Sequence, residues 1–192
     1  MTAHACPACL SRRRVLGGLA GLTASLVLLS ACHKDDPLAA RQPPVPIGPD
    51  DLCAVCGMTI AQAPGPKAEA YLEDHPGVLK FGGTMDFFSF ILQPENHARV
   101  QSVYVQDMAG LPWDHPIGHW IDARKAWYVS DLVMPGEMGP TLAAFRQQKD
   151  AEAFRRQFGG DLLRFDQITM KEITALGAHQ LCRPVQSGKP GQ

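Results

Sequence analysis

The stretch DAEAFRRQFGGDLLRFDQIT, residues 150–169, reads as a helix and a strand separated by two glycines. Asp150 is the predicted N-cap, because a short polar side chain can accept a hydrogen bond from the first free backbone N–H groups of a helix. Gly159 is the predicted C-cap, since glycine readily adopts the left-handed conformation that ends many helices. Apolar residues recur at helical spacing between the two caps, at Ala153, Phe154 and Phe158. The segment DLLRFDQIT after the glycines is predicted to be a strand.

Two further strands are predicted before this helix. They lie in HWIDARKAWYVSD, residues 119–131, where strand-forming residues surround a turn, and in TLAAF, residues 141–145. The C-terminal half of the chain therefore has the order strand, strand, helix, strand.

The first half of the chain repeats that order. Short strands are predicted in two segments, GMTIA at residues 57–61 and KAEAYLE at residues 67–73, and the second leads through a His-Pro-Gly turn to VLKF, residues 78–81. Two glycines then interrupt the chain, and Thr84 is the predicted N-cap of the helix MDFFSFIL, residues 85–92. The last segment, RVQSVYVQD at residues 99–107, alternates with Val103 and Val105 on one face, as a half-buried strand does.

The start of the chain is predicted to be a signal peptide, residues 1–31. Its three arginines precede an apolar run that is shorter than the roughly 20 residues of a membrane-spanning helix. LSAC, residues 29–32, resembles a bacterial lipobox, so Cys32 is the predicted site of a lipid such as palmitate on the periplasmic side of a membrane. His33 in the second position favours the outer membrane over the inner membrane. An ordinary signal peptide is the alternative, and the arginines also loosely fit a twin-arginine export signal.

Residues 32–50 are polar and rich in proline, so they are predicted to form an extended, flexible linker. Residues 179–192 are predicted to be a flexible tail. Between them, the repeated pattern predicts an α+β fold of two similar ββαβ units, residues 51–118 and 119–178, packed together after a disordered proline-rich tether.

The composition argues against a role in nucleic-acid binding. The chain has 18 basic and 19 acidic residues, a formal net charge of −1, and no basic stripe or aromatic platform. Two of its six cysteines lie in the predicted leader, and Cys32 is predicted to carry lipid. Cys53, Cys56 and Cys182 remain, an odd number that argues against a disulfide framework. Cys182, near the predicted tail, is expected to be a minor packing residue.

The motif DLCAVCGMTI, residues 51–60, places two cysteines and a methionine within six positions. A Cys-x-x-Cys pair fits a zinc clip, a redox dithiol or a soft-metal site. His115 and His119 match the spacing of the other half of a Cys2His2 zinc site, but the segment between the two pairs is much longer than in a zinc finger. Pro116 also argues against a helix that presents both histidines on one face.

A thioredoxin-like dithiol needs a helix that begins at the first cysteine and lowers its pKa. Gly57 and the β-branched pair that follows Met58 favour a strand instead, so the activating helix is not expected. The dithiol stays open as an alternative to a metal site.

Cu(I) is the ion that Met58 favours, because thiolates and thioethers are both soft ligands. In a strand from Cys56 onward, Cys56 and Met58 would point to the same face. Cys53 lies on the turn before that strand and is a further candidate ligand. Met138 is the candidate third ligand, because it lies in a loop rich in proline and glycine where a methionine has little core to fill. Met134, in the same loop, is a secondary candidate.

The motif LCAVCGM, residues 52–58, resembles that of the NosL family, lipoprotein accessory factors of nitrous oxide reductase. Further segments agree: KF, SVYVQD, AWYVSD, MGPTLAAF and DAEAFRRQFGGDLLRFDQIT, so that the resemblance covers residues 52–173. It implies a periplasmic Cu(I) chaperone that helps to load the copper centres of nitrous oxide reductase together with an ABC-type assembly complex. It also implies two ββαβ units, related to a domain of organomercury lyase.

By the same resemblance, Cys56 and Met58 are the expected copper ligands, Met138 matches the Met-Gly-Pro segment of the family, and Cys53 fits the motif. Relatives often carry polar or cysteine residues where this chain has Gly82–Met85, so no role is carried over to that segment.

The expected function is Cu(I) binding and transfer by ligand exchange, without catalysis. Cys56 and Met58 would hold the ion, with Met138 or a histidine completing the site. Two other classes stay open. One is an enzyme, either a thiol-disulfide oxidoreductase or a hydrolase that resembles a carbon–mercury lyase, and the other is a copper buffer or interaction protein without a delivery role.

Overall fold

The computed structural model describes the backbone of residues 41–130 and 134–182, and the side chains of these residues up to residue 178. The predicted leader, Cys32 and the side chain of Cys182 lie outside the described residues. Within the described part of the chain, no helix is both long enough and apolar enough to cross a bilayer.

The described chain forms two antiparallel sheets, each accompanied by helices. The first sheet and its helices comprise β1 (Ala68–Leu72), β2 (Val78–Phe81), α1 (Thr84–Ile91), α2 (Pro94–His97), β3 (Val100–Gln106) and β4 (Trp120–Asp122). The second sheet and its helices comprise β5 (Trp127–Ser130), β6 (Ala143–Phe145), α3 (Gln148–Phe158), β7 (Asp161–Arg164) and α4 (Met170–Cys182).

The two sheets share one antiparallel arrangement. In the first sheet β1 lies between β2 and β3, and in the second sheet β5 lies between β6 and β7. In both, a helix follows the second strand and leads to the third. The predicted α+β fold of two similar ββαβ units is therefore confirmed. β4 was expected at the start of the second unit, but it pairs with β3 and extends the first sheet to the order β2-β1-β3-β4.

The larger hydrophobic core contains residues from both units. Phe88 of α1 packs edge-on against Tyr128 of β5, with ring centroids 5.2 Å apart. Val103 and Val105 are buried in the same core, on the face that the alternation of β3 predicts. Ile173 and Leu176 of α4 join this core as well. The helix extends over Met170–Cys182, so its last four residues lie in the segment where the sequence analysis predicts a flexible tail.

Two predicted N-caps are displaced, and the predicted C-cap is confirmed. Gly83 is the N-cap of α1, and the hydroxyl of Thr84 is instead engaged with the second unit. Gln147 is the N-cap of α3, so Asp150 lies in the first turn, where its negative charge still favours the positive end of the helix dipole. Gly159 has a φ of +79°, and its N–H donates to the carbonyl of Arg155 at 2.9 Å.

Thr84 links the two units through buried hydrogen bonds. Its Oγ1 donates to the carbonyl oxygen of Leu142 at 2.8 Å and accepts from the N–H of Leu142 at 2.9 Å. It also lies 3.0 Å from the hydroxyl oxygen of Thr141. The first turn of α1 is thereby fixed against the chain that enters β6.

Residues Arg41–Ile47, which we call the strap, lie across the outer face of the first sheet. The contacts run from β4 to β2 and are made by Arg41 with Asp122, Tyr104 with the Gln42 carbonyl, Tyr71 with the Pro43 carbonyl, Glu69 with the Val45 N–H, and Lys80 with the Pro46 carbonyl. The chain from residue 41 onward therefore belongs to the folded unit, whereas the sequence analysis predicts a flexible linker through Asp50. Proline-rich chain has free carbonyls, and the polar outer face of this sheet supplies donors for them.

Glu69 is the buried acidic group beneath the strap. Its Oε2 accepts from Val45 N–H at 3.0 Å, and its Oε1 has no partner among the described residues. Burial raises the pKa of Glu69 to about 7, while the Val45 N–H and the charge of Lys80 act in the opposite direction and Asp51 adds to the rise.

We predict that this carboxyl makes the fold less stable as the pH rises. A pKa raised above the ordinary value of 4.5 means that the folded protein binds the proton more tightly than the unfolded chain. The free energy of unfolding should therefore fall between pH 4.5 and about pH 7 and level off above. Glu69→Gln should stabilise the protein at pH 8 by about 1–3 kcal/mol and change little at pH 4.5, as measured by urea unfolding.

Glu73→Gln is the control, because Glu73 is an exposed carboxylate in the turn after β1. It should leave the pH dependence unchanged. Equal stability of Glu69→Gln and the unaltered protein at pH 8 would contradict the prediction.

Candidate metal centre

Residues Cys53–Met58 form a tight loop. The N–H of Cys53 donates to the carbonyl of Met58 at 2.8 Å, and the N–H of Gly57 donates to the carbonyl of Cys53 at 2.9 Å. Gly57 has a φ of +72°, a left-handed conformation that breaks an extended chain and that side chains rarely tolerate. The strand predicted over residues 57–61 is therefore wrong. Cys56 and Met58 share this loop rather than one face of a strand.

The loop is fixed to the edge of the first sheet. Ala54 N–H donates to the carbonyl of Lys80 at 2.8 Å, and Ile60 N–H donates to the carbonyl of Asp51 at 2.9 Å. The side chain of Lys80 also forms an ion pair with Asp51. Partial burial would raise the pKa of Asp51, but the hydrogen bonds from Lys80 and from the Gly48 N–H outweigh it and lower that pKa. Asp51 therefore stays charged and paired at neutral pH.

Four potential ligand atoms meet at this loop. One atom each from Cys53, Cys56, Asp86 and Glu137 lies within 4.8 Å of the other three. The thiol of Cys53 is buried and donates to Oδ2 of Asp86 at 3.1 Å. Asp86 comes from the first turn of α1, and Glu137 comes from the loop that precedes β6. Thiolates are soft ligands that suit copper(I) and zinc, whereas carboxylates suit harder or borderline divalent ions.

Gly82 provides the space that Glu137 occupies. A side-chain Cβ at Gly82 would lie 1.6 Å from Oε2 of Glu137, so any other residue there would force the Glu137 carboxylate to move. The same carboxylate oxygen is buried and has no hydrogen-bond partner among the described residues. Burial and the nearby charge of Asp86 raise the pKa of Glu137, and Lys67 acts in the opposite direction.

Met138 lies at the tip of a short turn and follows Glu137 in the chain. The N–H of Gly136 donates to the carbonyl of Gly139 at 2.6 Å, which closes the turn. Trp113 holds its base, because the indole N–H donates to the carbonyl of Pro135 at 2.9 Å. The side chain of Met138 is exposed, as is that of Met58.

The environment of Cys56 favours its protonated form. Partial burial, the adjacent Cys53 and a hydrogen bond to the Asp86 side chain raise the pKa of Cys56 to about 12, although the N–H of Met58 favours the thiolate. A redox dithiol needs the opposite shift, since the thiolate is the nucleophile in thiol–disulfide exchange. The environment of this cysteine therefore argues against the oxidoreductase alternative.

A model of the NosL family matches residues 44–173 of this chain. The chain is 39% identical over 141 residues to the copper-binding lipoprotein NosL of Stutzerimonas stutzeri, and the match covers 73% of each chain. The chain belongs to the NosL family. The copper-binding lipoprotein NosL of Achromobacter cycloclastes is 38% identical over 152 residues, which cover 77% of this chain and 78% of the relative. The fold also matches the crystal structure of the copper chaperone NosL from Shewanella denitrificans, with a TM-score of 0.64 and 44% identity. That match covers 68% of this chain and 97% of the other.

Membership of the NosL family confirms the resemblance that the motif LCAVCGM indicates. The structure brings Cys53 and Cys56 together, places Met58 on the same loop, and places Met138 beside Glu137. The role of these four residues as ligands stays a prediction. His115 and His119 belong to no potential ligand cluster within the described residues, which leaves the Cys2His2 alternative without support.

Sequence reasoning missed Asp86 and Glu137 in this NosL-family chain. Asp86 looks like an ordinary first-turn acid of a helix, and Glu137 looks like a polar loop residue. The available signal is Gly82–Gly83 before α1, since a glycine at a sheet edge often marks a close approach of another group.

We predict that Cys56 is unreactive in the reduced, metal-free protein of this NosL-family member. Because its pKa is raised to about 12, almost all of the thiol is protonated at pH 8. Alkylation by iodoacetamide, followed by mass spectrometry of the peptide, should be roughly tenfold or more slower than for free cysteine. The same protein in urea is the control and should react at an ordinary rate. Reaction of the folded protein as fast as free cysteine would instead favour the oxidoreductase.

Proposed function

We propose that this chain is a periplasmic, lipid-anchored metallochaperone that binds Cu(I) and supplies it for the copper centres of nitrous oxide reductase. The observation that carries the proposal is the pairing of two neighbouring thiols with exposed thioethers on the two adjoining loops. Soft sulfur ligands select Cu(I) over harder ions. The printed descriptions of the relatives, copper-binding lipoprotein and copper chaperone, support the same conclusion.

Cys56 and Met58 are the proposed principal ligands, and Met138 is the proposed third. Cys53 lies close enough to Cys56 to add a second thiolate, although it is the more deeply buried of the two. A thiol must lose its proton to bind a metal. Because the pKa of Cys56 is raised, Cu(I) has to displace a proton that this thiol binds tightly. The thioethers carry no proton and are available at any pH.

Transfer is proposed to occur by ligand exchange without turnover. The thioethers of Met58 and Met138 are exposed, so an incoming sulfur or imidazole ligand would have access to an ion that they help to hold. Each new bond to the partner would replace one bond to this chain. The chain would then release the ion without ever leaving it bare in water.

A lipid on Cys32 is proposed to hold the protein at the membrane, on the periplasmic side and with the outer membrane favoured. The printed name lipoprotein for the relatives supports such an anchor. A tethered carrier meets a membrane-bound partner at a raised effective concentration. The proposed partners are nitrous oxide reductase and its ABC-type assembly complex, and no enzymatic activity is proposed.

We predict one tight Cu(I) site that depends on Cys56 and Met58. The experiment is an anaerobic competition titration against a Cu(I) chelator, on the chain from Asp35 onward under reducing conditions. Cys56→Ser should abolish tight binding, because the serine hydroxyl is a hard, protonated ligand. Met58→Leu and Met138→Leu should each weaken binding by roughly 10-fold, about 1.4 kcal/mol, since leucine keeps the volume but not the sulfur.

Met170→Leu is the matched control, since Met170 begins α4 and lies outside the centre. It should bind as the unaltered chain does. The chaperone proposal would be wrong if the chain had no tight Cu(I) site. It would also be wrong if Cys56→Ser and Met58→Leu left a tight site unchanged.

We further predict that oxidation abolishes Cu(I) binding. Cys53 and Cys56 lie in one loop with their sulfurs inside the same 4.8 Å cluster, so a disulfide between them would remove both thiolates. Protein treated with diamide should lose the tight site and regain it after dithiothreitol. The variant Cys53→Ser provides the comparison: it cannot form this disulfide and should keep its binding under the same treatment, apart from slower oxidation of Cys56 itself. Full Cu(I) binding by the disulfide form would refute the thiolate assignment.

A further inference from the structure

The large apolar side chains that are exposed in the described residues concentrate around the candidate metal centre. There are five of them: Leu52 at 58%, Val55 at 48%, Met58 at 46%, Met138 at 57% and Ile117 at 80% exposure. Four of the five lie on the two loops that meet at the thiols. Single exposed apolar residues are common on protein surfaces, but a group around one site marks an interaction surface.

The local structure does not require apolar side chains at these positions. Val55 lies in the turn between the two cysteines, where turns ordinarily carry glycine, proline, asparagine, aspartate or serine. Leu52 forms an isolated bridge with Thr59 through backbone groups only, and its side chain points into solvent. Neither side chain belongs to a hydrophobic core cluster. Their apolar character therefore serves something outside the folded chain.

We propose that Leu52, Val55, Met58 and Met138 form a docking surface, the apolar rim, for the protein that receives the ion. The partner is a protein that presents sulfur or imidazole ligands inside a matching apolar patch. This inference rests on the proposed function and adds to it the surface through which transfer takes place. Leu52 and Val55 exclude water and hold the partner, while the thioethers also touch the ion.

The chemistry of transfer identifies this partner. Ligand exchange needs the incoming ligands to reach the same ion, so the receiving protein has to contact the loops that hold the thiols. Apolar residues around the ion would exclude water from the interface while its ligands are exchanged. A receiving protein therefore gains from Leu52 and Val55, whereas a small chelator, with no surface of its own, does not.

The charges at the centre disfavour two other occupants. Asp86 and Glu137 contribute acidic groups to the cluster that contains the thiols. Lys80 is paired with Asp51, and Lys67 is buried and donates to backbone carbonyls, so neither offers a free cation to an anionic lipid surface. A second copy of this chain would place the same acidic groups opposite each other, which repels.

The test compares transfer to a protein with transfer to a chelator. The acylated protein in nanodiscs of neutral lipid is loaded with Cu(I) and mixed with copper-free nitrous oxide reductase and its assembly complex. In parallel it is mixed with bathocuproine disulfonate, which takes Cu(I) without docking. The variant is Leu52→Ser combined with Val55→Ser, and neither residue is a proposed ligand. Ile117→Ser is the matched control, since Ile117 is an exposed apolar residue that belongs to neither of the two loops and lines a cavity of about 350 Å³.

The double variant should slow transfer to the reductase by roughly fivefold or more. Its Cu(I) affinity and the rate of capture by the chelator should stay within twofold of the unaltered protein. Ile117→Ser should change none of the three. An unchanged rate of protein transfer in the double variant overturns the docking surface and leaves the chaperone function standing.

Three other results are also decisive. If the double variant slowed Cu(I) transfer equally to the chelator and to the reductase, Leu52 and Val55 would act in retaining the ion, and the docking proposal would be wrong. A dimer in analytical ultracentrifugation that the double variant abolishes would make a second copy the occupant of the apolar rim. Absence of transfer from the unaltered protein, with tight Cu(I) binding intact, would remove the delivery function itself.

Discussion

The buried hydroxyl of Thr84 is the contact on which the centre depends. It accepts from and donates to the backbone of Leu142, so the start of α1 and the entry to β6 are held together. An unpaired backbone group in such a buried place costs about 1–3 kcal/mol, which makes this contact hard to replace. Asp86 lies two residues after Thr84, and Glu137 lies a few residues before Leu142. The carboxylates of the two units therefore reach the thiols together, from one fixed junction.

The strap crosses the first sheet and leads to the cysteine loop. Its contacts pass in order from Asp122 on β4, across the two central strands, to Lys80 on β2. Lys80 then also holds Asp51 and, through its carbonyl, Ala54 of the cysteine loop. The strap thus begins at the β4 edge of the sheet and ends at the β2 edge, where the cysteine loop follows. The strap covers a polar face of the sheet, and two buried polar atoms on these strands, Glu69 Oε1 and Ser102 Oγ, have no partner among the described residues.

The sequence allows most of the fold to be predicted, because strand alternation and helix spacing report on burial directly. It fails at residues 57–61, where a threonine and a buried isoleucine resemble a strand while Gly57 turns the chain back. It fails again at Asp86 and Glu137, because nothing near either residue in the chain reveals a partner that only tertiary contact supplies. The two cysteines were accessible to sequence reasoning since their ligand chemistry is local to one loop.

A carrier of a metal ion needs a centre that is well formed on one side and incomplete on the other. Here the formed side consists of the Cys53 thiol, held by Asp86, and the carboxylate of Glu137, seated against Gly82. The incomplete side consists of thioethers, which are exposed, uncharged and weakly bonding. A weak ligand is the one that an incoming ligand displaces first, so in the proposed transfer exchange would begin at the exposed thioethers. In the proposed docking, the apolar rim would then favour a protein with a matching apolar surface over a molecule without one.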